Sequence, residues 1–193
     1  MARLVPLIDK IDASELRDRA LSLCKSVEVG KLIRMGSFDA AYVLAAHMPD
    51  AGLRAQSLKD LSLAITRKGS LTLNSKEVLS EALGSANKAG ASIERSKLTF
   101  RITADFVNSR HYETAFAALA DATTSLSYLK RDEFEETSKR VVPNSFFDYQ
   151  NTFGRLGNVD FDRAMFLAQG IKWREFRLAA EIATCQSVLS KKG

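Results

Sequence analysis

Apolar residues along this chain recur every three or four positions, the periodicity of helices with one apolar face. Leu16, Ala20, Leu21, Cys24 and Val27 make one stripe. Phe38, Ala41, Tyr42, Leu44, Ala45 and Met48 make a second, expected to face inwards. Leu53, Leu58, Leu61 and Ile65 form a third, and Leu98, Ile102 and Phe106 a fourth. Near the end, Leu178, Ile182, Cys185 and Leu189 run beside Phe176, Ala179, Ala180 and Ala183. A helix apolar on two sides is expected to be covered on two sides. Alternating β-branched and polar residues seldom persist past four positions, so no strands are predicted.

Polar and helix-breaking residues divide these stripes into elements. A short helix is predicted over residues 4–11, followed by Asp12 and Glu15 at capping-box spacing. The next helix is interrupted by Gly30 and closed by Gly36, which supplies a left-handed backbone at no steric cost. Ser37 or Asp39 opens the following helix, and Pro49 with Asp50 breaks it. Helices over about 50–67 and 74–87 follow, stopped by Gly69 and Gly90, with Asn74 and Ser75 as caps. Later helices are predicted over about 93–107, 112–124, 126 or 131 to 142, 146–156 capped by Ser145, 161–170 and 173–189. Connections of roughly two to six residues suit antiparallel neighbours.

Residues 36–45 have a counterpart in residues 158–168 and a looser one in residues 109–119. Each has a small polar turn, an aromatic (Phe38, Tyr112, Phe161), an acid in the first turn and an alanine three residues after the aromatic. Phe38 and Tyr112 are 74 residues apart, twice 37, whereas Tyr112 and Phe161 are 49 apart, one repeat plus an insertion. Leu16-Arg17 lies 37 residues before Leu53-Arg54, and Phe176 follows Phe161 by the 15 residues that separate Leu53 from Phe38. Residues 93–102 would be the second helix of the middle unit.

A two-helix unit cannot bury its apolar face alone, so like units stack, and small alanines let the helices approach. With Gly36, Phe38 and Ala41 in these places, the sequence resembles the tetratricopeptide-repeat superfamily. That resemblance implies an array of helical hairpins binding peptides or proteins in its groove. It assigns no contact residue. The fold expected is all-α, antiparallel hairpins stacked as an α-solenoid-like repeat, with an irregular helical bundle as the alternative. Units fall at about 1–35, 36–69, 70–108, 109–142 and 143–193 of one domain. The chain begins inside a half-unit, so it is expected to be a piece of a longer protein.

Composition changes this picture little. At 46% hydrophobic and 26% charged, the chain has enough apolar content for a packed core, which excludes a disordered one. The net charge of +5 is spread along the chain, with no basic block of the kind a dedicated nucleic-acid binder carries. Cys24 and Cys185 do not have metal or redox spacing. No run approaches the roughly 20 apolar residues of a spanning helix, and residues 4–8 are too short for a secretory core. A cytoplasmic location is expected.

Few residues suggest chemistry. His47 is separated from Asp50 by a helix-breaking proline, and His111 has no carboxylate or thiol one turn away, so both read as helix-terminal polar residues. The acids of residues 132–136 have Lys139 and Arg140 within helical reach, a solvated ion-paired face. Gly154 and Gly157 match the GxxG spacing of KH RNA-binding loops, but without strands the reading is a helix-terminal turn. Residues 190–193 read as a frayed tail. The cluster Trp173, Arg174 and Arg177 is the candidate partner-binding site, because tryptophan and arginine are enriched at binding hot spots. The function expected is a non-enzymatic adaptor or scaffold for a protein or peptide, with no cofactor, metal or membrane. The alternative is a nucleic-acid-associated helical protein using dispersed Lys and Arg against phosphate. The sequence leaves the oligomeric state open.

Overall fold

The computed structural model describes residues 13–90, 92–129 and 147–189. Among these every regular element is helical and there is no strand. The chain divides into two compact units, Met1–Ala89 and Gly90–Gly193. The predicted helix over 4–11, Asp12, the acids of 132–136, Ser145 and the tail over 190–193 lie outside the described residues.

The first unit contains α1 (Ser14–Met35), α2 (Phe38–Ala46), α3 (Ala51–Lys68) and α4 (Ser75–Lys88). Gly36 ends α1 with φ 78°, and the amides of Gly36 and Ser37 donate to the carbonyls of Ile33 and Leu32. That pair of bonds closes the helix and satisfies two of its last carbonyls. Ser37 precedes α2 without a side-chain cap bond; Asp39 accepts from Thr72 Oγ1 at 2.6 Å instead. Asp50 opens α3 by accepting the Leu53 amide at 2.8 Å, and Asn74 opens α4 by accepting that of Lys76. Ala41, Ala45, Ala55, Leu58, Leu61 and Ala82 form the unit's core. Arg54 fastens three elements, donating to Ser85 Oγ on α4 and to the Met48 carbonyl after α2. Tyr42 OH donates to Glu81 Oε2 at 2.7 Å, joining α2 to α4, a bond that raises its pKa.

The apolar stripe of α1 is only partly covered: Ala20, Leu21 and Cys24 are half-buried. Only Ser22 and Val29 of the helix are buried, while Leu16, Leu23 and Val27 stand outward. Polar contacts set the rotation: Ser22 Oγ accepts the Asp50 amide at 3.0 Å, and Lys25 Nζ donates to the His47 carbonyl at 2.9 Å. These bonds hold the α2–α3 corner against the polar side of α1.

The second unit contains α5 (Ile93–Asn108), α6 (Tyr112–Ser127), α7, α8 (Phe161–Gln169) and α9 (Arg174–Leu189). Here α7 is a wide π-turn, Gln150–Gly154, running into one α-turn, Arg155–Gly157. A regular helix is predicted in its place. The wider turn begins at Asp148, whose φ is 50° and whose carboxylate accepts from Asn151 Nδ2. The Gly154 amide then reaches the Tyr149 carbonyl, five residues back. Tyr149 and Phe153 thereby join Phe100, Phe147 and Phe176 in a buried aromatic cluster, with ring centroids 5.0–6.3 Å apart.

The predicted boundary at 124–126 also differs, since α6 runs on to Ser127. Ser125 is buried against Ser96, 2.9 Å between hydroxyls, and Leu126 is buried as well. Gly154 and Gly157 turn out to be a helix–helix contact. A Cβ on Gly157 would lie 3.0 Å from Thr184 Cγ2 and 3.1 Å from Ser187 Oγ; one on Gly154 would lie 3.2 Å from the Ala183 carbonyl. Accordingly α9 buries Phe176, Ala180, Ala183, Thr184 and Ser187 there. Its other stripe, Leu178, Ile182, Cys185 and Leu189, is exposed among the described residues, so the two-sided cover expected for this helix is absent.

Within the aromatic cluster, the Tyr149 hydroxyl is fully buried and has no hydrogen-bond partner among the described residues. Burial pushes its pKa well above the ordinary value. An unsatisfied buried hydroxyl costs about 1–3 kcal/mol. Tyr149→Phe, which keeps the ring, is therefore expected to stabilise the second unit by about 1 kcal/mol in urea unfolding. Above about pH 10 the unfolded tyrosine ionises while the folded one does not, so stability falls with rising pH, and the Phe variant loses that part of the slope.

Candidate peptide-binding groove

Helices α6 and α8 run in the same direction, tied together at their first turns by Arg163 and at the far end through Trp173, in the connection from α8 to α9. Asp160 caps α8 by accepting the Arg163 amide at 3.0 Å. From the first turn of α8, the Arg163 guanidinium lies 4.2 Å from the centroid of the Phe116 ring and donates to Glu113 Oε2 at 2.8 Å. At the other end, Trp173 Nε1 donates to the Leu126 carbonyl at 3.1 Å, satisfying a terminal carbonyl of α6. The Lys172 ammonium sits 5.0 Å from the centroid of the indole ring.

Towards the Trp173 end the two helices leave a groove of about 580 Å³. Ala120, Thr123, Thr124 and Ser127 line one side, and Leu167, Gln169 and Gly170 the other. Tyr128 and Phe166 flank it, 70% and 74% exposed, values that leave both rings free to be covered. Two hydroxyls of the lining turn back into α6: Thr123 Oγ1 donates to the Ala120 carbonyl and Ser127 Oγ to that of Thr123. Apolar rings over a small, polar-edged floor can clamp an extended or helical segment and orient it.

Of the three residues singled out from sequence, Trp173 is half-buried and its indole N–H is engaged by the fold. Arg174 is exposed and Arg177 half-buried at the start of α9, and neither forms an ion pair with a described residue. Tyr128 and Phe166 escape sequence reasoning because an exposed aromatic has the same periodicity as a core one. One cue exists: Phe166 lies five residues after Phe161, off the face that carries Ala164 and Ala168.

The remaining sequence candidates are dispersed. His47 Nδ1 lies 2.8 Å from the Val43 carbonyl of its own helix, and His111 precedes α6 without a cap bond. Cys24 and Cys185 are free thiols. No group of three His, Cys, Asp or Glu side chains converges among the described residues. No described helix is long and apolar enough to cross a membrane.

The three related segments share part of one burial pattern. Ala41, Ala115 and Ala164 are all fully buried, as are Ala45, Leu119 and Ala168 four residues on. Asp39, Glu113 and Asp162 are all exposed. Five residues after each aromatic, Val43, Ala117 and Phe166 face outward, and beside Val43 a second concavity of about 690 Å³ is lined by Leu32, Ala40 and Leu44. The first two segments also share a corner: Arg110, at φ 59°, donates to Val107, and His111 to Phe106, repeating the bonds at Gly36.

The aromatics themselves diverge. Phe38 is buried, Tyr112 half-buried and Phe161 exposed. The third segment enters differently, the amides of Val159 and Asp160 both donating to Leu156, and this turns its first ring outward. No protein-family model, curated protein or solved structure matches this chain.

Proposed function

We propose that this chain is a non-enzymatic binding scaffold of repeated helical hairpins, and that the α6–α8 groove receives a peptide or a segment of a protein partner. The observation that carries the reading is the pair of exposed rings, Tyr128 and Phe166, flanking a groove between two helices tied through Arg163 and Trp173. Exposing such rings costs solvation that a bound chain would restore, and rigid aromatics lose little entropy on binding. Two further observations favour a repeat. The first-turn acid, the inward alanine and the positions two and four residues beyond it have the same exposure in α2, α6 and α8, and α6 and α8 lie side by side in the same direction, as equivalent helices of successive hairpins do.

Selection of a displayed peptide library on the wild-type protein tests the reading. Peptides so obtained are expected to lose about tenfold or more in affinity for the Tyr128→Ala/Phe166→Ala protein. Its circular dichroism should not change, since both side chains are exposed. Selected peptides that bind the two proteins equally would move the binding surface elsewhere.

A further inference from the structure

We propose that Ser70, in the connection between α3 and α4, is the phosphorylation site of a serine kinase that selects basic residues, and that its phosphate is placed against Asp39 of α2. Four serines of the chain stand three residues after an arginine: Ser22, Ser37, Ser57 and Ser70. Ser22 and Ser57 are buried, and Ser37 is half-buried and followed by the buried Phe38. Ser70 alone of the four has a second base, Lys68, two residues before it. It is followed by Leu71, whose side chain is fully exposed.

The fold presents this stretch outward. Arg67 and Lys68 are the exposed last residues of α3, and neither forms an ion pair with a described residue. Gly69 then turns the chain off the helix at φ 78° and ψ 156°, a backbone conformation essentially confined to glycine. Residues 69–74 belong to no helix. Kinases select substrates by complementary charge, which Arg67 and Lys68 supply, and Leu71 is free to enter an apolar pocket. Only the last turn of α3 needs to open for both bases to be engaged, and helix ends open at little cost.

In the transfer, Ser70 Oγ bonds to the γ-phosphorus of a nucleoside triphosphate as the bond from that phosphorus to its bridging oxygen breaks. The nucleoside diphosphate leaves, and the hydroxyl proton passes to the kinase's carboxylate base. The product carries a charge of about −2 at neutral pH. A concavity of about 530 Å³ beside the loop, lined also by Gly36, Phe38 and Asp39, gives the phosphate room. Thr72 connects it to α2: its hydroxyl lies 3.4 Å from Ser70 Oγ and donates to Asp39 Oδ1 at 2.6 Å. The phosphate competes with Asp39 for that proton and repels its carboxylate, so modification loosens the hold of the loop on α2.

Treatment of the full chain with a purified serine kinase of basic specificity and magnesium ATP tests this, the acceptor being located by tandem mass spectrometry. One phosphate is expected, at Ser70. Arg67→Gln/Lys68→Gln should lower kcat/KM at least tenfold with circular dichroism unchanged, because both side chains are exposed. No phosphate at Ser70 of the folded protein, or equal rates for the wild type and the Gln pair, overturns the proposal. Phosphorus NMR titration of the modified protein reads the placement. Asp39→Asn should lower the second pKa of the phosphate by about half a pH unit, since it removes a neighbouring negative charge. An unchanged value would put the phosphate away from Asp39 and overturn that assignment. The site belongs to the first unit and shares no residue with the groove, so the outcome is independent of peptide binding.

Discussion

Replacing Phe100 with alanine is expected to destabilise the second unit by about 3–5 kcal/mol, the usual cost of deleting a buried ring. Phe100 is fully buried on α5, with Phe147, Tyr149 and Phe153 at 5.2, 5.5 and 6.3 Å between ring centroids. The remaining rings cannot fill the void without leaving the tilted and edge-on geometries that they share with one another, so collapse is partial. Trp173 is the chain's single tryptophan and lies in the second unit, so its fluorescence during urea unfolding reports on its surroundings in that unit. Phe100→Leu should recover part of the loss. A cost below about 1 kcal/mol for the alanine variant would show that the aromatic cluster does not hold α5, α7 and α9 together.

Gly157→Val should have an effect of similar size, about 3 kcal/mol or more, for the opposite reason. The added atoms have nowhere to go: Thr184 Cγ2, Ser187 Oγ and the Thr184 carbonyl stand 3.0, 3.1 and 3.3 Å from the position of a Cβ. Moving them means moving α9, whose face there is buried. Gly157→Ala should cost less, about 1–3 kcal/mol. Thr184→Ala removes the nearest methyl and should suppress part of the Gly157→Ala defect, a coupling that a double-mutant cycle measures. Strict additivity of the two substitutions would contradict the contact.

These two sites show which parts of the structure were legible in the sequence. Several helix ends were, because each is fixed by a few adjacent residues: Gly36 and Gly69 take positive φ, and Asn74 accepts an amide of the turn that follows. Gly30, expected to interrupt α1, lies inside the continuous helix. The inward alanines of α2, α6 and α8 were legible too. The rotation of α1 was not. Its leucines suggest a buried stripe, but two hydrogen bonds, at Ser22 and Lys25, set which side meets α2 and α3. In α9, two apolar stripes competed, and the small one is buried where Ala183, Thr184 and Ser187 meet the backbone of Gly154 and Gly157.

The groove was not legible in the sequence. Trp173 drew attention for its residue type, but it does not line the groove, and its N–H is donated to the Leu126 carbonyl of α6. Tyr128 and Phe166 matter because of where the helices leave them uncovered. That is a property of packing, which periodicity alone does not encode.

The scaffold reading rests on the groove meeting a polypeptide in the cell. Its most direct measurement is photo-cross-linking from benzoylphenylalanine placed at Thr124, an exposed position in the groove lining, with the same group at Leu71 of the first unit as a fully exposed control. A discrete polypeptide adduct is expected from position 124 that the Tyr128→Ala/Phe166→Ala background abolishes and position 71 never gives. No adduct at 124, or the same adducts from both positions, would contradict it.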